Sequence, residues 1–430
     1  MTAAAETRLD PARAPWLADP ECRALVRALG VENARFVGGA VRDALLSLPA
    51  PADLDIATRL PPEEVTRRLA AHGFKVIPTG LSHGTVTAVG AGGRHYEITT
   101  LRIDLETDGR HAKVAFTDDW KADAARRDFT INALFCDLDG RIHDYFGGIA
   151  DLKAGRVRFI GDARARIRED ALRILRFFRF HAWYGRGRPD PEGLAAAADL
   201  ADMLAILSIE RVRDELLKLL AAPDPCDALR AMAETGVLGR VLPAVRAGAV
   251  EEMPRLVARE RPFRDILDDE RTWRPLRRLA FLHGLDADGW EREGRRLKLS
   301  RRRIADLAAL ASPLSGHDER ALKAEIYRRG RPATVNRAVI EAADRDEAVA
   351  RALARRLAAL AGWAPPRFPL SGRDLIAAGF RPGPALGRLL ARLREEWIAT
   401  GFTLDGEALL ARARRSATTG GGRGEDRRTD

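Results

Sequence analysis

Asp53 and Asp55 lie in DLDIAT, a short run of strand-forming character. Residues two apart in a strand project from the same face, so the two carboxylates stand together. Side by side they repel unless a cation lies between them. Their hard oxygens suit Mg²⁺, which keeps waters and accepts substrate phosphates. A D-x-D pair on an edge strand also occurs as a plain solvated surface pair. Upstream, Gly38 and Gly39 separate the strand-like ARFV from the helix-like VRDALL. Glycines at such a junction let the backbone approach a phosphate, the helix start favours anions, and Arg42 is placed to fork onto a triphosphate. A simple tight turn would use the same glycines. The pattern is not the dinucleotide fingerprint, because G-x-G-x-x-G is absent. A glycine turn followed by D-x-D suits a triphosphate and its metals sharing one site.

Two further groups carry charge into apolar surroundings. Arg126-Arg127-Asp128 precedes the strand-like FTINALF. Here Arg127 is expected to face a nucleotide, while Asp128 neutralises an arginine and locks the fold. In REDALRILRFFRF, Asp170, Arg173, Arg176 and Arg179 recur every third residue among Leu and Phe, which reads as a largely buried helix. Steps of three drift by roughly 60° each, so the four side chains spiral around the helix while neighbours still meet. Arginines on an apolar background need anions. Internal pairing with Glu169 and Asp170 is one source. A bound nucleotide is another: a carboxylate accepts from an exocyclic amino group and an arginine donates to a ring acceptor. Cytosine and adenine both present an amino donor beside a ring-nitrogen acceptor, whereas guanine and uracil present the reverse. Asp170 with Arg173 would therefore accept C and A and reject G and U without a template.

These residues need a scaffold, and the chain divides into two textures. Through about residue 160, strand and helix signals alternate. PPEEVTRRLAAHG reads as a helix opened by proline and closed by Gly73, TVTAV and HYEITTLR as strands, and ALFCDLDGRIHDYF as a hairpin turning at Asp139-Gly140. Beyond that the pattern is helical, as in SIERVRDELLKLLAA after Ser208, with breaks at Pro223, Pro225 and around Pro365. The expected fold class is α+β: a head with a small mixed β-sheet, followed by all-α neck, body and tail domains. The expected boundaries are an N-terminal extension over 1–20, a catalytic head over 21–150, a helical neck with the base-selecting helix over 151–225, a helical body and tail over 226–415, and a disordered tail over 416–430.

Composition narrows the class further. The chain has 430 residues and 46% hydrophobic content, enough for two to four cores. Its 72 Lys and Arg against 62 Asp and Glu give a net charge of +10, which favours a polyanionic partner. Cys22, Cys136 and Cys226 show no C-x-x-C spacing, so neither zinc nor a disulfide framework is expected. There is no apolar h-region near the N-terminus and no run approaching the roughly 18 apolar residues of a membrane span. A cytoplasmic protein without membrane partners is expected.

Taken together, FVGGAVRDALL, LDIAT, ARRDFTINAL and REDALRILRFFRF resemble the class II CCA-adding enzymes, the tRNA nucleotidyltransferases, and their relatives the bacterial poly(A) polymerases. The resemblance is dense over about 33–185 and thin between about 225 and 360. It implies nucleotidyl transfer to RNA with Mg²⁺ held by Asp53 and Asp55. It further implies triphosphate or sugar contacts by Gly38, Gly39, Arg42 and Arg127, and base and phosphate contacts by Asp170, Arg173, Arg176 and Arg179. Glu97, in HYEITT, sits where a third strand carboxylate would lie. Residues 100–120 are similar to the family's flexible loop, and LSGRDLIAAGFRPGPALGRLLARLREEW to its tRNA-contacting tail. Both point to the CCA-adding branch, with CTP and ATP as substrates and the 3′ end and acceptor region of tRNA as partner. Arg295-Arg296 and Arg301 to Arg303 would hold the tRNA backbone, or form a solvated helix face. The rivals are a poly(A) polymerase and a catalytically silent RNA-binding relative; the second is disfavoured because both aspartates are present.

Overall fold

The computed structural model describes residues 7–49, 51, 53–80, 84–108 and 111–420. Two compact units divide the chain, Met1–Val250 and Glu251–Asp430, so the boundary expected at 225/226 falls within the first. That unit opens with α1 (Pro20–Leu29), where Asp19 accepts from the backbone N–H groups of Glu21 and Cys22 and Pro20 takes the first helical position. β1 (Ala34–Val37), α2 (Gly39–Leu45), β2 (Leu54–Thr58) and α3 (Pro62–Ala71) follow as the sequence suggests. So do β4 (Thr85–Val89) and β5 (His95–Thr100), while β3 (Lys75–Gly80) is a strand the sequence reading did not single out.

Residues 100–120, expected as a loop, carry a two-stranded antiparallel ribbon, β6 (Arg102–Asp108) with β7 (His111–Phe116). The alternation of charged residues with Ile103 and Leu105 is a period-two pattern that the charges obscure. After α4 (Trp120–Ala125), β8 (Leu134–Cys136) and β9 (Ile142–Asp144) form the expected hairpin, with Gly140 at φ +86 in its turn.

Seven strands form one sheet in the order β3-β4-β5-β2-β1-β8-β9. β2 and β5 run parallel and the other neighbours antiparallel, which is the mixed sheet expected. Alternate residues of its central strands enter opposite cores. Phe36, Leu54 and Ile56 pack with the residues of α1 and α3, whereas Val37, Ala57 and Phe135 pack with Trp120. Burial on both faces fixes the register of β1 and β2, because a slip of one residue would exchange the two cores.

After Asp144 no strand occurs among the described residues. α5 (Gly148–Ala154), α6 (Ala163–Glu169), α7 (Leu172–Tyr184), α8 (Pro191–Asp199), α9 (Ile209–Leu220), α10 (Cys226–Glu234) and α11 (Val237–Val241) complete the first unit. REDALRILRFFRF is not one helix. Asp170 is extended, at φ −152 and ψ 107, and its side chain accepts from the N–H of Leu172 at the start of α7.

The second unit begins inside α12 (Ala249–Glu260) and continues through α13 (Glu270–His283), α14 (Ala287–Arg296), α15 (Arg301–Ala311) and α16 (Glu319–Arg329). α17 (Arg331–Ala342) and α18 (Glu347–Ala359) precede the break around Pro365. α19 (Gly372–Ala377), α20 (Pro384–Ala399), opened by Gly383, and α21 (Gly406–Gly420) close the chain around Trp397, whose ring lies 4.9 Å from that of Phe402. Residues 416–420, expected in a disordered tail, belong to α21, and 421–430 lie outside the described residues. The expected basic run is half neutralised: Arg295 and Arg296 pair with Glu291 and Glu293, while Arg301 and Arg302 are exposed.

Candidate active site

The first unit contains a cleft of roughly 480 Å³. Gly38 and Gly39, at the end of β1, form one edge, and Asp55 of β2 faces it. Arg127 and Asp128 stand beside them, and Asp170, Arg173 and Arg176 complete the opposite wall. Five arginines line the cleft against three aspartates, so it favours an anionic occupant.

Gly38 takes φ +70, a conformation that L side chains rarely adopt. Gly39 is helical and its position is spacious: a Cβ there would lie 3.6 Å from Arg42 Nη2, ordinary contact. Packing thus does not demand glycine at 39. Arg42 is buried and donates through Nε to Asp43 at 2.8 Å, through Nη1 to Asn132 Oδ1 at 2.6 Å and through Nη2 to the Tyr184 hydroxyl at 2.7 Å.

Asp55 lies beside Glu97 in the parallel register of β2 and β5. Burial of its protein-facing side, then Glu97, then Asp53 push the Asp55 carboxyl above its usual range, with Arg127 opposing. Asp53 is exposed in the bend just before β2 and lies outside the cleft lining. Among the described residues no three His, Cys, Asp or Glu side chains form a metal cage of their own. Crowded carboxylates at an open cleft fit a hard cation that completes its shell with water and phosphate oxygens.

Arg127 and Arg126 share the buried carboxylate of Asp123, at 3.1 and 2.7 Å. Burial opposes the charge on Asp123, yet the two guanidiniums outweigh it and hold its pKa below the usual range. Asp128 neutralises an arginine as expected, and also faces the cleft, which was not expected of it. It lines the cleft, and its Oδ2 receives Nε and Nη2 of Arg176 at 2.8 and 2.5 Å. Burial again opposes, and Arg176 again wins, lowering the Asp128 pKa.

Asp170 and Arg173 both reach the cleft but do not pair with each other. Asp170 Oδ2 accepts from Arg211 of α9 at 2.8 Å, and Arg173 Nη1 bonds to Glu169 and to the carbonyl of Arg166. The Nε and Nη2 donors of Arg173 have no partner among the described residues, and each Asp170 oxygen keeps a lone pair. Arg179 stands apart from the lining. Two steps of three from Arg173 rotate it by roughly 120°, and it pairs instead with Glu215 of α9 at 2.8 Å. Steps of three, four and four keep Arg173, Arg176, Phe180 and Tyr184 on one face.

Sequence reasoning missed Asn132, Tyr184, Arg211 and Glu215. The last two are spaced i,i+4 in SIERVRDELLK, on a helix whose other positions are rich in Leu, and that charged pair was the available signal. Asn132 and Tyr184 carried none beyond their proximity to ARRDFTINAL and to the arginine helix.

Residues 34–158 match the family described as "Poly A polymerase head domain", and 188–248 match "Probable RNA and SrmB- binding site of polymerase A". The chain is 38% identical over 393 residues to the mitochondrial CCA tRNA nucleotidyltransferase 1 of Danio rerio, covering 88% of this chain and 86% of that protein. It is 32% identical over 385 residues to the CCA-adding enzyme of Lacticaseibacillus paracasei, covering 87% and 90%. Its fold superposes on that of the Bacillus stearothermophilus CCA-adding enzyme in complex with CTP with a TM-score of 0.73 at 28% identity, over 93% of this chain and 98% of that one.

Proposed function

This chain belongs to the CCA tRNA nucleotidyltransferase family, and from that premise we propose that it adds C, C and A to the 3′ end of tRNA from CTP and ATP. The observation that carries the reading is the single cleft joining Gly38, Gly39 and Asp55 at one edge to Asp170 and Arg173 at the other. A nucleotide spans both: its triphosphate lies against the glycines, Arg42 and Arg127, and its base against Asp170 and Arg173. Asp170 accepts from the amino group of C or A, and the free Nε and Nη2 of Arg173 donate to the ring acceptor. U and G bring an acceptor opposite Asp170 and a donor opposite Arg173, so neither contact forms and like groups face each other. Arg176 and Arg179 hold the wall through Asp128 and Glu215, with Arg176 also facing the cleft.

In the reaction the 3′ oxygen of the RNA attacks the α-phosphorus, and the bond to the leaving pyrophosphate breaks. Asp53 and Asp55, with Glu97 beside them, would hold Mg²⁺, which when bound would ease loss of the 3′-hydroxyl proton and offset the charge on the departing pyrophosphate. Arg42 and Arg127 stabilise the triphosphate through donors that this chain already orients.

Residues 226–415 contact the body of the tRNA in this reading, with exposed Arg301 and Arg302 as phosphate ligands. No helix among the described residues is long and apolar enough to cross a membrane. A cytoplasmic location remains part of the proposal, although the Danio rerio relative is mitochondrial. A poly(A) polymerase is disfavoured, because relatives matched over most of their length are CCA-adding. The test is incubation of the pure protein with tRNA lacking its 3′ CCA and with each labelled nucleotide, alone and in combination. The expected product is three nucleotides longer, reads C, C, A and requires both CTP and ATP. A heterogeneous A-tail, or no extension, contradicts the proposal.

A further inference from the structure

Arg42 presents five N–H donors, and three are already engaged inside the protein. One N–H remains on each terminal nitrogen, the pair that a phosphate oxygen or two would take. Arg42 does not hold this pose unaided. The guanidiniums of Arg42, Arg176 and Arg179 surround the ring of Phe180, at 5.4, 5.3 and 4.3 Å from its centroid. Like charges crowded there push one another apart, and Arg176 and Arg42 both work against the charge on Arg179.

Tyr184, the last residue of α7, meets Arg42 in two ways. Its ring lies under the guanidinium, 4.0 Å from Cζ to centroid, and stacks on Phe180 at 5.8 Å and 28°. Its hydroxyl accepts from Nη2, and Arg42 Nε in turn donates to Asp43. Hydroxyl, guanidinium and carboxylate thus form a chain of hydrogen bonds that runs from Tyr184 through Arg42 to Asp43. Burial pushes the Tyr184 hydroxyl up to about 12, so it stays neutral. The chain of bonds also ties α2, beside the glycine turn, to the helix that carries Arg173 and Arg176.

We propose that Tyr184 is a positioning residue for nucleotide binding, holding Arg42 with its two remaining donors turned to the phosphates. This rests on the reading of Arg42 as a phosphate ligand.

The test is a double-mutant cycle in the full-length chain, with tRNA lacking CCA as acceptor. It reads KM for CTP and the inhibition constant of inorganic tripolyphosphate, which has phosphates but no base. Tyr184→Phe keeps the ring and removes the hydroxyl. It is expected to raise both constants about tenfold, the scale of a hydrogen bond to a charged group, while kcat and the preference for CTP over UTP stay within twofold. In an Arg42→Ala background, Tyr184→Phe should add nothing, because the residue acts through Arg42. Parental constants in Tyr184→Phe, or an equal rise in the Arg42→Ala background, overturn the proposal and leave Arg42 as phosphate ligand. So does a fall in melting temperature with unchanged constants, which is a structural role. Parental constants in Arg42→Ala overturn the reading of Arg42, and the proposal with it.

Discussion

Buried arginines occur in both units, and their surroundings differ in one respect. In the second unit Arg277 and Arg278 are 0% exposed. Arg277 meets Glu260, Glu270 and Asn336, and Arg278 meets Glu260. In the first unit Arg42 meets a carboxylate and an asparagine as well, Asp43 and Asn132, yet it borders a cleft and keeps two N–H groups. Arg173 and Arg176 likewise pair on one side and open on the other. The same side chain with the same partners is a core element where its surroundings close and is open to a further anion where they leave space. Counting ion pairs would not tell them apart; the position of the unused donors does.

The largest effect should separate chemistry from stability. Replacing Asp53 or Asp55 with Asn should lower nucleotide incorporation by on the order of 10³-fold or more. Neither change breaks a core contact, so the melting temperature should stay within about 2 °C. Affinity for tRNA should remain within a few-fold. Retained turnover of either variant in Mg²⁺ would remove the catalytic half of the comparison.

Arg277→Met should do the reverse. Removing one partner of a buried network costs about 3–5 kcal/mol, while KM for CTP in the folded fraction stays within twofold. The loss should also depend on pH. Burial opposes the charge on Glu270, but Arg277 prevails and lowers its folded-state pKa. A lowered carboxylate contributes stability that is complete above the unfolded value, about 4.3, and is lost as pH falls through the folded one. Denaturant unfolding should therefore show the gap between parent and variant widest near neutrality and narrowing below about pH 4. An altered KM with intact stability would make Arg277 a ligand and erase the distinction.

Local chemistry was legible in the sequence, and long-range partnership was not. Gly38 and Gly39, the strand around Asp55, the α3 helix and the turn at Asp139-Gly140 follow from propensities and periods that act over a few residues. The pairing of Asp170 with Arg211, 41 positions downstream, depends on α9 packing against α7, as does that of Arg179 with Glu215. The expected contact between Asp170 and Arg173 failed for a local reason. Asp170 ends α6 in an extended conformation and its side chain accepts from the Leu172 N–H at the start of α7, so it is not a helical neighbour of Arg173. Tyr184 escaped notice because a tyrosine near a helix end has no chemical signature until Arg42 is placed on its face.

The central claim is that Asp170 and Arg173 choose the base in place of a template, and Asp170→Ala tests it most directly. Losing a hydrogen bond to a charged group should slow CTP and ATP incorporation by roughly 2–3 kcal/mol of transition-state binding. UTP and GTP never made that bond and no longer bring an acceptor against the carboxylate, so they should lose less. Single-nucleotide incorporation rates for all four triphosphates, taken with a melting curve, read the difference. The account predicts a slower enzyme with a narrowed preference for C and A over U and G. A uniform fall for all four nucleotides, with a lower melting temperature, would mean that Asp170 only holds the start of α7 and anchors Arg211, and would contradict it.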